Sequence, residues 1–234
     1  MVFFVGPPFG NYINLPYITP IKGSFTLEPR PGLFKQIIKT LRYDFIYKDW
    51  INKMGLRNKG IDYAIKHYNK GEIISIAILD KKEIPLIVRK IPENMDVELN
   101  VSCPNAEKKM VTEGLESFLN HKRKWCIIKL SPTIETTLID NYYQLGFRQF
   151  HCSNTIPIKQ GGLSGKAIIP YNRKLITYLK ENYNDVEIIA GGGIKEWKTV
   201  EEYKKLGANH FAFSTICFNP YLFCKLYFNI IKKY

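Results

Sequence analysis

Five stretches carry side chains able to do chemistry, and each follows an apolar run. Asn100-Val101-Ser102-Cys103-Pro104-Asn105 follows Val97-Glu98-Leu99 and packs two amides, a hydroxyl, a thiol and a proline into six residues. Lys129 is the single charge in Trp125-Cys126-Ile127-Ile128-Lys129-Leu130. Asn154-Thr155, Gly191-Gly192-Gly193 and Ser214-Thr215 close three further apolar runs. A thiol titrates close enough to neutral pH to act as a general acid or base, which makes Cys103 a candidate. A lysine near the end of a buried strand either finds an ion-pair partner, snorkels to the mouth, or sits beside a group that gains negative charge during reaction. A flavin is such a group, because its pyrimidine end becomes anionic on reduction. Asn52, Asn100, Asn105 and Asn154 each offer a donor pair and an acceptor, which suits the alternating edge of a pyrimidine; taken singly each is an ordinary turn residue. Glycines after one strand and Ser/Thr after the next can cradle a phosphate, since backbone N–H groups approach an anion closely where no Cβ intervenes.

These stretches need a scaffold that gathers strand ends. Eight apolar runs qualify as strands: Val2 to Val5, Leu15 to Lys22, Ile73 to Ile78, Asp96 to Val101, Trp125 to Leu130, Arg148 to Ser153, Val186 to Ala190 and His210 to Phe213. Helical stretches are expected over Asp62 to His67, Glu113 to Leu119, Thr136 to Leu145, Asn172 to Asn182, Thr199 to Leu206 and Pro220 to Lys232. Gly23 to Gly32 and Gly161 to Gly165 read as loops from their Gly and Pro content. Continuous apolar runs are the mark of parallel strands covered on both faces. Alternation with helices implies right-handed crossovers, and eight such units imply a closed (β/α)8 TIM barrel, compact and with trimmed helices. An open doubly wound sheet is the runner-up. Neither a linker nor a long repeat is present, so residues 1–234 are expected to form one domain.

Composition limits the remaining possibilities. The chain has 234 residues, 45% hydrophobic and 24% charged, which are globular values. No apolar run approaches the roughly 20 residues that span a bilayer, and the N-terminus has no basic leader. A cytoplasmic protein without membrane attachment is expected. The formal charge of +13 would suit a polyanion, but the lysines are spread along the chain and nucleic-acid binding is not expected. Five cysteines form no CxxC pair, and four of them lie in apolar runs where a thiol packs as a small hydrophobe. The four histidines are scattered, and no metal site is expected.

The motifs resemble those of the dihydroorotate dehydrogenases, flavin mononucleotide (FMN) barrel enzymes of pyrimidine biosynthesis. Asn100 to Asn105 looks like the catalytic-loop motif, with Cys as in the soluble, fumarate-linked class. Asn52-Lys53-Met54-Gly55-Leu56, with Asn58, Gly60 and Asp62-Tyr63, is similar to the substrate-binding loop. Ser75-Ile76-Ala77, Ile128-Lys129-Leu130-Ser131-Pro132, Asn154-Thr155, Gly161-Gly162-Leu163-Ser164-Gly165, Gly191-Gly192-Gly193 and Ser214-Thr215 follow in family order. The resemblance implies oxidation of dihydroorotate to orotate, with Cys103 removing a proton and Lys129 stabilising reduced FMN. It implies Asn52, Met54, Gly55, Leu56, Asn100, Asn105, Asn154 and Thr155 as substrate contacts. Ser24, Asn100, Lys129, Gly165, Gly192, Gly193, Ser214 and Thr215 would hold FMN. The resemblance implies fumarate as the acceptor, since no membrane-binding helical extension is expected before the barrel, and a homodimer is carried over from the soluble class.

The chain departs from the family pattern at its start. Gly6 to Leu15 is too short for the usual first helix, Gly6-Pro7-Pro8-Phe9-Gly10 replaces an Ala-rich flavin loop, and Gly23 stands where a substrate lysine is expected, next to Lys22. Two other readings stand beside the first. A tRNA dihydrouridine synthase, also an FMN barrel with an active cysteine and lysine, is favoured by the basic charge. A non-catalytic barrel that binds FMN or a pyrimidine is favoured by the shortened first connection.

Overall fold

A computed structural model describes residues 1–101 and 113–233. Cys103 and Asn105 therefore lie outside the described residues. In chain order the elements are β1 (Phe3–Val5), β2 (Ile18–Phe25), α1 (Leu33–Thr40), β3 (Arg42–Asp44), β4 (Asp49–Asn52), α2 (Ile61–Lys66), β5 (Ile73–Ile76), α3 (Ile84–Lys90), β6 (Val97–Asn100), β7 (Cys126–Lys129), α4 (Thr136–Gln144), β8 (Gln149–Cys152), β9 (Ile156–Ile158), β10 (Gly161–Leu163), α5 (Ile169–Asn182), β11 (Glu187–Gly191), α6 (Trp197–Lys205), β12 (His210–Phe213) and α7 (Pro220–Ile231).

Eight strands close a parallel barrel in the order β1-β12-β11-β8-β7-β6-β5-β2. They are the eight apolar runs expected from the sequence, so the (β/α)8 barrel is present. The period of two along each strand builds two cores. Phe3 and Val5 point outward into the layer shared with the helices, where Leu175, Ile176, Leu179, Val200, Leu226 and Ile230 also pack. Phe4, Ile21, Ile73, Trp125, Ile127, Ile189 and Ala212 form a separate cluster inside the barrel. Phe4 meets Trp125 edge-on at 5.3 Å between ring centroids.

The helical layer is indeed trimmed. Only a single 3-10 turn, Phe9–Asn11, lies between β1 and β2. The stretch expected to be helical near 113–119 is a 3-10 turn at Leu115–Phe118, capped by Gly114 rather than by a side chain. The last helix is well started: the Asn219 side chain accepts a hydrogen bond from the Leu222 N–H at 3.1 Å, and Pro220 occupies the first turn.

Two loop expectations are corrected. Residues 23–25 continue β2, with a register shift between Lys22 and Phe25 where β2 pairs with β5. Gly161 to Leu163 is β10, not a flexible loop, and it belongs to a second, antiparallel sheet ordered β3-β4-β10-β9. Glycine is required there by space: a Cβ on Gly162 would meet the Thr155 side chain, and one on Gly161 the Asn52 carbonyl. This small sheet is tied to the barrel by Asp49, which is fully buried. Its carboxylate takes the Lys195 ammonium at 2.8 Å and the Lys166 N–H at 3.0 Å, joining β4 to the loops after β10 and β11. Among the described residues no helix is long and apolar enough to cross a membrane.

Phe4→Ala removes a fully buried ring from the interior cluster and should cost roughly 3–5 kcal/mol, read as a lowered midpoint in urea unfolding. A loss below about 1 kcal/mol would show that the barrel interior is not packed around it.

Candidate functional site

Toward the carboxyl ends of the strands the barrel interior turns polar. The inward positions one step above the apolar layer are Ser75 on β5, Glu98 on β6, Lys129 on β7 and His151 on β8, all buried. Glu98 is the hub. It accepts from Ser75 Oγ at 2.8 Å and from His151 Nδ1 at 2.6 Å, and Lys129 Nζ lies 3.5 Å from its Oε1. Burial alone would raise the Glu98 carboxyl, but the Lys129 charge, His151 and the Ser75 hydroxyl together hold it down to about 2. Burial, and then the Lys129 charge, push His151 below its ordinary value against the pull of Glu98. At neutral pH the cluster is thus an ionised Glu98, a charged Lys129 and a neutral His151 donating its Nδ1–H.

Two adjoining cavities open above this floor, of about 110 and 340 Å³. Lys129, Asn52, Met54, Asn154, Thr155, Pro7 and Pro8 line both. The first is walled by Gly165, Gly192, Gly193, Ser214, Thr215 and His151. The second is walled by Ser24, Leu56 and Asn100, with Lys22, Arg57 and Lys59. The sequence-predicted residues that fall among the described ones are thereby brought to one mouth, with one exception. Gly55 forms the turn between Met54 and Leu56 at a φ of +64° and lines neither cavity.

Several roles differ from a simple list of contacts. The Ser24 hydroxyl is bonded to Ser75 Oγ and accepts from Asn100 Nδ2, both at 2.9 Å. Ser214 Oγ donates to the Pro7 carbonyl at 2.9 Å, so its hydroxyl ties the β12 end to the shortened β1 loop. Lys22 is held by the buried Glu72 at 2.6 Å. Of the cysteines outside the opening motif, Cys126 and Cys217 are pushed up to about 12 by burial and Cys152 higher still. Cys224 is exposed on α7 and Cys217 only half-buried, so these two are not the core thiols that their apolar runs indicated.

Sequence reasoning passed over Glu98, Ser75 as a hydroxyl, His151, and the stacked pair Trp50 and Phe218 (ring centroids 4.3 Å apart) that walls the first cavity. The signal was present for the first three: each is a polar residue at an inward position of an otherwise apolar strand.

The walls of the first cavity suit the phosphate of a flavin mononucleotide. Gly192 and Gly193 turn away from β11 with φ of +86° and +74°, and a Cβ on Gly193 would meet the Ile169 side chain. Thr215 and Gly165 complete that end, while Lys129 and the amides stand toward the other.

Fold and mouth define a (β/α)8 barrel with a basic, amide-lined cavity at the carboxyl ends of its strands, where barrels of this kind hold their ligands. A dihydroorotate dehydrogenase B (NAD(+)) catalytic subunit from Methanocaldococcus jannaschii is 30% identical over 223 residues, covering 80% of this chain and 71% of the relative. One of the same name from Bacteroides fragilis is 25% identical over 254 residues, covering 92% and 81%. The ligand-free DHODH of Eimeria tenella shares the fold with a TM-score of 0.70 at 17% identity, over 99% of this chain and 84% of that one. No protein-family model matches the chain. The chain belongs to the dihydroorotate dehydrogenase family.

The buried cluster should make the fold acid-sensitive. A lowered carboxyl stabilises the folded state fully above its ordinary value of 4.5, and that contribution is lost as pH falls toward about 2. A His151 kept neutral acts in the same direction from higher pH, because below 6.5 the unfolded chain takes up a proton that the folded one refuses. Thermal melting should therefore fall steadily from pH 6.5 downward. His151→Gln should flatten the part between 6.5 and 4.5 and keep the lower limb. An unaltered upper limb in that variant would contradict the assignment.

Proposed function

We propose that this protein oxidises dihydroorotate to orotate, using FMN bound across the two cavities. The observation that carries the reading is the convergence of Lys129, the Asn52, Asn100 and Asn154 amides and the Gly192-Gly193 turn on one continuous mouth. Bound FMN supplies the two-electron acceptor for the hydride that leaves C6 of the substrate. The chain supplies the rest. Cys103 takes the C5 proton, and loss of that proton and the C6 hydride leaves the C5=C6 double bond of orotate. Lys129 places a positive charge where reduction adds electron density. Asn52, Asn100, Asn105, Asn154 and Thr155, with Met54 and Leu56, hold the pyrimidine; Gly165, Gly192, Gly193 and Thr215 hold the phosphate.

The substrate carboxylate needs a cation. Lys22 is engaged by Glu72, whereas Arg57 and Lys59 line the larger cavity with no carboxylate partner among the described residues. Arg57 and Lys59 take that role in this chain. Replacing both by Ala should raise KM for dihydroorotate at least tenfold and leave the flavin spectrum intact. An unchanged KM, with Lys22→Ala raising it instead, returns the role to β2.

The decisive test of the activity is anaerobic mixing. Purified protein carrying one FMN per chain should bleach on addition of dihydroorotate, and Cys103→Ala should slow bleaching by about 10²–10⁴-fold while retaining flavin. Stoichiometric flavin without bleaching would leave a binding barrel without turnover. Fumarate is the acceptor proposed from the resemblance to the soluble class. The NAD(+)-linked names of several relatives favour NAD(+) as the second reading, and the rate at which each reoxidises the bleached protein separates the two.

A further inference from the structure

The bonds around Glu98 have a direction that follows from its charge. An ionised carboxylate only accepts hydrogen bonds. The Ser75 hydroxyl therefore spends its one proton on Glu98, at 2.8 Å. Ser24 Oγ lies 2.9 Å from Ser75 Oγ, and with the Ser75 proton committed, Ser24 must be the donor of that pair. The Ser24 oxygen can then only accept from its other partner, which is Asn100 Nδ2 at 2.9 Å. This orients the Asn100 amide with its Nδ2 toward Ser24. Its Oδ1 accepts from Asn154 Nδ2 at 3.2 Å, and Asn154 Oδ1 in turn accepts from the Thr155 N–H at 2.9 Å. One buried charge thus sets the sense of a chain that runs across β6, β5 and β2 to the two amides at the mouth. The same carboxylate carries Lys129 on its other side, 3.5 Å away.

We propose that Glu98 is the positioning residue of the redox site, placing the Lys129 ammonium beneath the flavin and, through Ser75 and Ser24, fixing which edge the Asn100 and Asn154 amides present to the substrate. It touches neither ligand. The proposal rests on the flavin reading above. Among the described residues, Lys129 and His151 are the titratable groups that face Glu98, with Ser75 as the third partner.

Glu98→Gln keeps the shape and removes the charge. Its amide can donate to Ser75, which frees the Ser75 proton to point at Ser24 and reverses the sense of the chain. Lys129 is left uncompensated, which favours the reduced, anionic flavin. The holoenzyme should show a flavin midpoint potential raised by a tenfold or greater change in the redox equilibrium, about 30 mV for a two-electron couple. The orotate dissociation constant, read from the perturbation of the flavin spectrum, should rise about tenfold. Ser75→Ala separates the two arms: orotate binding should weaken several-fold while the potential stays at the native value.

A Glu98→Gln holoenzyme with native potential and native orotate affinity overturns the proposal and reduces Glu98 to packing. If that variant does not fold, Ser75→Ala decides: native orotate affinity there overturns the chain. Should the native protein bind no flavin, the flavin reading fails separately. Calorimetric orotate binding to native and Ser75→Ala protein then still tests the amide arm, with equal affinities contradicting it.

Discussion

A carboxylate enclosed inside a parallel barrel is the constraint around which this molecule is arranged. Glu98 has no access to water, and an isolated buried charge would cost several kcal/mol or more. It persists because three neighbouring strands each turn one compensating group inward at the same level: a hydroxyl from β5, an ammonium from β7 and an imidazole N–H from β8. Loss of Glu98 itself would leave the Lys129 ammonium buried without its carboxylate, so the cluster depends on that one residue. The barrel must close with its strands in register for these groups to meet, which links the site to the fold as a whole.

Below that level the interior is apolar, with Phe4, Ile21, Ile73, Ile127 and Ile189 filling the space. Above it lie the cavities. The polar layer therefore acts as a floor: it is supported by a dry core and it presents Lys129, His151 and the amide chain upward. The small antiparallel sheet walls one side of the mouth through Trp50 and Asn52, and the buried Asp49 carboxylate, paired with Lys195, holds it beside the Gly192-Gly193 turn. A shortened first connection fits the same plan, because Ser214 reaches the Pro7 carbonyl directly.

Much of this was legible in the sequence. The eight barrel strands show as apolar runs because parallel strands are covered on both faces, and their ends show as the points where Asn, Lys, Gly and Ser/Thr interrupt them. Lys129 was noticed for the same reason. Glu98 and His151 have the same signature but were read as ordinary strand residues, since their value lies in a partner on the next strand, and that register is not written locally. The small sheet was missed because β3 pairs with β4 while β4 pairs with β10, more than a hundred residues away. Glycines at β10 read as flexibility when they mark close approach of Thr155 and Asn52. The helix α1 was passed over although Leu33, Phe34, Ile37 and Ile38 recur at helical spacing; none of its residues is buried.

The ionisation of Glu98 is the claim on which the floor, the Lys129 geometry and the amide orientation all depend. It can be observed directly by carbon-13 NMR of protein labelled at its glutamate carboxyls, with the Glu98 resonance identified by its absence in Glu98→Gln. The account predicts a carboxylate shift that stays constant from neutral pH down past 4.5, with no titration until the protein unfolds. A Glu98 resonance that is protonated at neutral pH, or that titrates near the ordinary value in the folded protein, would contradict it.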